Sequence, residues 1–149
     1  MGTPSDVFTR PASLFVAGFI GTPTMNFFKA RYVEEGGQRV LRGEGFAWQP
    51  PAWLAANPPG PEQGLTLGLR PQALRASPDA AQLTVKVDVV EYLGTESQVV
   101  GHMAAPSGQR VAAMLPGDAH AQLHRNVHLG FDSEALHVFD SESGRSLRR

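Results

Sequence analysis

The sequence predicts a mainly β protein of the small-barrel type, with helix confined to its first two dozen residues, and three observations carry that reading. From Met25 onward short apolar-rich segments recur, while helical periodicity is hard to find. They are separated by Gly, Pro, Asn, Asp and Ser punctuation, as in Glu35-Gly36-Gly37, Pro106-Ser107-Gly108 and Pro116-Gly117-Asp118. Within one of them, Thr84 to Val90, residues alternate so that Val85, Val87 and Val89 face one side of a strand and Thr84, Lys86 and Asp88 the other. Many short strands joined by close turns are the pattern of a small closed or nearly closed sheet.

The elements follow in order. Thr3-Pro4-Ser5-Asp6 has the hydroxyl-x-x-acid spacing of a capping box, with Pro4 at a first helical position that needs no N–H. Pro11 interrupts this helix, and the run Ala12 to Ile20 places Leu14, Phe15 and Phe19 on one face before Gly21 and Pro23 end it. Two short tandem helices are expected over residues 1–24. Burying each of Phe8, Phe15 and Phe19 would contribute about 1.5–3 kcal/mol, so this face needs a cover, either the chain's own sheet or a preceding domain. Strands are expected at Phe27–Val33, Arg39–Leu41, Gly45–Trp48, Leu65–Leu69, Leu83–Leu93, Gln98–Met103, Arg110–Met114, Ala119–Leu123, Val127–Phe131 and Leu136–Phe139. Gln49 to Gly64, rich in Pro, Ala and Gly, reads as a loop with one hydrophobic anchor around Trp53 and Leu54.

Composition narrows the function classes. The 149 residues suffice for one ordinary domain or two very small ones, and 42% hydrophobic with 18% charged residues is an average globular balance. Thirteen Lys and Arg against 14 Asp and Glu give a net charge of -1, without the basic excess that neutralises nucleic-acid phosphates. Without cysteine there can be no disulfide, thiolate zinc site, iron–sulfur cluster or cysteine nucleophile. No apolar run approaches the ~20 residues that span a bilayer, and the N-terminus lacks a signal-peptide pattern, so a cytoplasmic chain is expected.

Catalytic constellations fare poorly. A phosphate-cradling loop needs glycines followed by Lys and a hydroxyl residue, but Lys29 and Lys86 are the only lysines and neither sits in that context. Gly43-Glu44-Gly45-Phe46 lacks the spacing of a dinucleotide fingerprint, and no G-x-S-x-G elbow presents a serine. His120, His124 and His128 would stack on a helix as metal ligands; read as a half-buried strand, Ala119–Leu123 instead turns them to solvent. Glu34-Glu35 and Asp132-Ser133-Glu134 read as solvated turn acids rather than a catalytic pair. Phe27, Phe28, Lys29, Arg31 and Tyr32 give a faint version of the aromatic and basic strand face that binds oligonucleotides. The neutral charge balance favours a core role for them.

The run Gly2 to Phe27, reading GTPSDVFTRPASLFVAGFIGTPTMNF, resembles the join between nucleotide-binding and regulatory domains in maltose-type and glycerol-3-phosphate-type ABC importer ATPases. Leu67-Gly68-Leu69-Arg70-Pro71, Val89-Val90-Glu91-Tyr92-Leu93-Gly94-Thr95-Glu96 and His137-Val138-Phe139-Asp140 follow in that family's order, so the resemblance covers essentially the whole chain. It departs at Phe8, where the family has Tyr, at Gln72-Ala73, where it has an acid–His pair, and in the loop from Trp53 to Gln63, which has no clear counterpart.

The resemblance implies an OB-fold-like region of TOBE type over residues 25–149, with residues 1–24 as terminal helices of a preceding nucleotide-binding domain and Met1 a start created at that boundary. It implies a regulatory, dimer-supporting part of an ATP-binding subunit that imports a carbohydrate or sn-glycerol-3-phosphate-like solute, and no enzyme in itself. ATP and Mg would belong to the other domain. Its implied partners are a second copy, that ATPase core, the transmembrane permease subunits indirectly and a possible regulatory protein, at the inner face of the membrane. Arg70, Glu91, Leu93, Gly94, Glu96 and Phe139 are the interface or fold positions it carries over. The competing readings are a stand-alone oligonucleotide-binding barrel and a small-molecule sensor.

Overall fold

A computed structural model describes residues 25–148, and the two helices expected over residues 1–24 lie outside them. The described chain forms ten strands, one five-residue helix and three 3-10 turns, so the mainly β expectation is met. It divides into two compact units. Unit 1 takes residues 25–43, 47–69 and 133–148, and unit 2 residues 44–46 and 70–132.

Unit 1 holds β1 (Asn26–Glu35), β2 (Gln38–Gly43), β4 (Leu65–Leu69), β10 (His137–Asp140) and most of β3 (Phe46–Trp48), in the sheet order β10-β4-β1-β2-β3. β1 pairs antiparallel with β2 and with β4, and β10 antiparallel with β4. The turn from β1 to β2 rests on Gly36 and Gly37, at φ 59° and 80°, the pair of left-handed residues that a two-residue hairpin with the strands' own twist demands. Period-two alternation buries Phe28, Ala30 and Tyr32 while Lys29 and Arg31 face outward. Of the residues that hinted at an oligonucleotide face, Phe28 and Tyr32 therefore lie on the opposite side of β1 from Lys29 and Arg31, while Phe27, on the basic side, is partly buried against Phe139. Interior strand β4 is buried throughout, and Gly68 leaves room for its neighbours: a Cβ there would lie 2.3 Å from Met25 Sδ and 3.1 Å from the Phe139 ring, so those side chains would have to shift.

The segment expected as a plain loop contains helix α1 (Ala52–Ala56). Pro50 and Pro51 lead into it, Glu134 Oε2 accepts the Ala52 N–H at 2.6 Å, and Asn57-Pro58-Pro59 stops it. Its anchor is Leu54, which is fully buried.

Unit 2 holds β5 (Arg75–Ala76), β6 (Leu83–Tyr92), β7 (Glu96–Met103), β8 (Arg110–Pro116) and β9 (Asn126–Gly130), ordered β5-β9-β6-β7-β8. The core of this sheet gathers Leu83, Val85, Val87, Val99, Met103, Val111, Val127 and Leu129. The two-residue β5 is too short to leave a periodic signal. Ala119–Leu123 is not the expected strand but a 3-10 turn, His120–Gln122. Asp118 Oδ1 accepts the His120 N–H at 3.0 Å and starts that turn, which outweighs an alternation built from alanines, poor strand formers.

Candidate functional site

The alternation in β6 breaks at Asp88. Val87 pairs with Gly101 but Val89 pairs with Val100, so two residues of β6 are spent against one step of β7, a β-bulge. Val85 and Val87 stay in the core, whereas Val89 is turned out and 55% exposed, contrary to the uniform inward row of valines that the sequence predicts. Gly101 makes the bulge possible, because a Cβ there would lie 2.1 Å from the Lys86 carbonyl oxygen and 2.6 Å from Val85 Cγ1. Asp88 Oδ2 meets His102 Nδ1 at 2.8 Å across the same step.

Beyond the bulge the β6–β7 hairpin carries its own apolar tip. Tyr92 is 46% and Leu93 50% exposed, so with Val89 they make up three of the four large exposed hydrophobic residues among those described. The tip is rigidly built. Leu93 N–H donates to the Glu96 carbonyl at 2.8 Å, Gly94 adopts φ 104°, and the Tyr92 hydroxyl donates to the Gly94 carbonyl. Thr95 O accepts the Gly117 N–H at 3.0 Å. Fully buried Ser97 completes the brace, its hydroxyl donating to Gly117 O at 2.7 Å and accepting the Ala119 N–H at 2.9 Å. Glu91 and Glu96 are exposed beside the apolar residues.

Of the residues singled out from sequence, the fold thus brings Glu91, Leu93, Gly94 and Glu96 together at this tip. It does not bring Arg70 or Phe139 there. Arg70 is buried at the start of unit 2's second stretch, and burial pushes its guanidinium pKa below the ordinary value. Phe139 is a core residue of unit 1, fully buried, with Met25 against it and the Phe27 ring edge-on at 6.5 Å. Sequence reasoning missed Val89 and Tyr92 as surface residues. The charged Glu91 interrupting the apolar run Val89 to Leu93, just before Gly94, was the available signal for Tyr92, but Val89 depends on the bulge.

The three histidines at spacing four do not converge. His120 contacts Asp118, His128 Nδ1 meets Thr84 Oγ1 at 2.9 Å, and His124 sits at φ 67° with its N–H on Val87 O at 2.8 Å. Among the described residues no group of three or more His, Asp or Glu is disposed to hold a metal ion, and no helix is long and apolar enough to cross a membrane. What the hairpin offers is a preformed, exposed surface, partly apolar and partly acidic.

Comparison with known proteins matches residues 67–139 to the TOBE domain and residues 21–74 to the MalK OB fold domain. The sn-glycerol-3-phosphate import ATP-binding protein UgpC of Chromobacterium violaceum is 36% identical over 148 residues, covering 99% of this chain and 38% of that protein. The trehalose import ATP-binding protein SugC of Mycobacterium tuberculosis is 36% identical over 175 residues, covering 99% and 44%. The xylose/arabinose import ATP-binding protein XacK of Haloferax volcanii is 34% identical over 152 residues, covering 99% and 38%. The chain therefore spans about two fifths of these relatives (38–44%). A solved structure of the cytoplasmic molybdate-binding protein ModG superposes with a TM-score of 0.59 at 13% identity, over 80% of this chain and 98% of that one, a likeness of fold alone.

Proposed function

We infer the function from one premise: the chain belongs to the TOBE and MalK-type OB-fold family, the region carried by the ATP-binding subunits of sugar and glycerol-3-phosphate ABC importers. On that premise it is a regulatory and dimer-supporting module. It holds two copies of such a subunit together and serves import of a carbohydrate or sn-glycerol-3-phosphate-like solute. ATP and magnesium are then bound in the portion of the longer subunit that this chain does not span, and the chain itself catalyses nothing. The permease subunits are reached through that portion, at the inner face of the membrane.

The observation that carries this reading is the braced β6–β7 tip, where Val89, Tyr92 and Leu93 stand exposed on a hairpin whose turn is fixed by hydrogen bonds. A surface whose side chains and backbone are already ordered loses little entropy on docking, which favours association. A two-fold pairing presents the same patch twice. The placement of the β1 aromatics argues against the oligonucleotide reading: Phe28 and Tyr32 are buried opposite Lys29 and Arg31, and Phe27, on the basic side, is packed against Phe139 rather than left free to stack on a base. Sedimentation velocity over a concentration series tests the proposal. A dimer that dissociates in a Val89→Glu, Leu93→Glu double variant is the expected result; a monomer at every concentration would overturn it.

A further inference from the structure

In unit 1 the segment from Trp53 to Gln63 and the C-terminal tail form a groove lined by Trp53, Asn57, Pro59, Gln63, Leu147 and Arg148. Two ordered stretches build it. Asn57 ends α1 with its N–H on Leu54 O at 3.1 Å, and Gln63 is fixed by its N–H on Gly60 O at 3.1 Å and its side-chain Nε2 on Asp140 Oδ1 at 3.1 Å. On the other side Leu147 N–H donates to Val138 O at 2.9 Å, tying the C-terminal tail to β10. The tail thereby sets the Arg148 guanidinium over the Trp53 indole, Cζ 5.8 Å from the ring centroid.

Among the described residues that line the groove, the one charged side chain is a cation, Arg148. Trp53 Nε1–H is buried and meets no acceptor among the described residues, an arrangement that costs about 1–3 kcal/mol for a buried donor. Among the described residues Arg148 forms no salt bridge, and no carboxylate side chain lines the groove. The acid that Gln63 does touch, Asp140, is already engaged, its Oδ2 accepting the Ser143 N–H at 2.7 Å. A second groove in unit 1 differs: its Arg39 faces Glu34 at 3.5 Å and its Glu134 accepts the Ala52 N–H.

An indole N–H, a guanidinium and a carboxamide donate to oxygen acceptors, and the cation selects charged ones. Pro59 and Leu147 supply an apolar wall for a carbon skeleton. We propose that this groove binds a small organic oxyanion, a phosphate ester or a carboxylate. Its acidic head sits against Arg148 and the Trp53 N–H, and its body lies on Pro59 and Leu147. The site is independent of the hairpin and of the role proposed above.

Isothermal titration calorimetry of the 149-residue chain with glucose 6-phosphate, gluconate and glucose tests it, because the three share a body and differ in the head. Saturable binding of either anion, with none of glucose, is expected, and the anion that binds more tightly identifies the head group. Arg148→Ala weakens that binding about tenfold or more, the loss expected for a hydrogen-bonded charge. Trp53→Phe, which keeps an aromatic face but no N–H, weakens it as well, and Arg145→Ala leaves it unchanged. Arg148 is exposed, so its variant keeps the wild-type melting curve. No binding of either anion, equal binding of glucose, or unchanged affinity in Arg148→Ala would overturn the proposal.

Discussion

Replacing Gly101 by Ala tests the bulge on which the hairpin depends. The added methyl would sit 2.1 Å from the Lys86 carbonyl oxygen, 2.8 Å from its carbonyl carbon and 2.6 Å from Val85 Cγ1. Two of those atoms are backbone of the neighbouring strand, so no rotamer change relieves the clash and β6 must move away from β7. Overpacking of this kind costs about 3 kcal/mol, which in a chain of this size lowers Tm by about 10 °C. Both tryptophans, Trp48 and Trp53, belong to unit 1 and would report on unit 2 poorly. Differential scanning calorimetry is the suitable assay. Gly36→Ala serves as the control: nothing lies within 4 Å of its Cβ, and only its φ of 59° penalises a side chain, by about 1 kcal/mol. A Gly101→Ala variant no less stable than Gly36→Ala would refute the close approach and with it the bulge.

Further outcomes follow from the same geometry. Leu93→Glu alone forfeits about 1 kcal/mol of burial per copy, since the side chain is half exposed, hence about 2 kcal/mol and about 30-fold in the dimer Kd for a two-fold pair, read by sedimentation equilibrium. Ser97→Ala strips a partner from Gly117 O and from the buried Ala119 N–H and destabilises unit 2 by about 1–3 kcal/mol in urea unfolding. Hydrogen bonds from Ser143 and then Gln63 hold the Asp140 carboxyl below its ordinary 3.8. A depressed folded-state pKa means that its stabilisation is present above 3.8 and lost as pH falls below it, so a urea midpoint followed from pH 5 to 2 should fall less in Asp140→Asn than in the wild type.

Much of this was legible in the sequence, for local reasons. Leu65–Leu69, with leucine at every second position, became an interior strand of unit 1's sheet, and Glu35-Gly36-Gly37 announced a hairpin because glycine accepts two successive positive φ values cheaply. The failures were also physical. A bulge shifts register by one residue without altering composition, so Val89 looked like Val85 and Val87 until Gly101 was seen opposite the step. Alternation at Ala119–Leu123 was overridden by the Asp118 side chain. Helix α1 is held by Glu134, 82 residues away, and the Trp53 groove is closed by Arg148; neither partner is near enough in sequence for periodicity to reveal. Phe139 lay within a recognisable motif, but a motif does not separate a core aromatic from an interface one.

Methyl-resolved NMR over a concentration series tests most directly whether the β6–β7 tip is the surface that meets another polypeptide. As the chain self-associates, the Val89 and Leu93 methyl signals should shift together with the dimer population, while those of buried Val85 and Leu54 stay in place. Dimer formation with Val89 and Leu93 unmoved would contradict it.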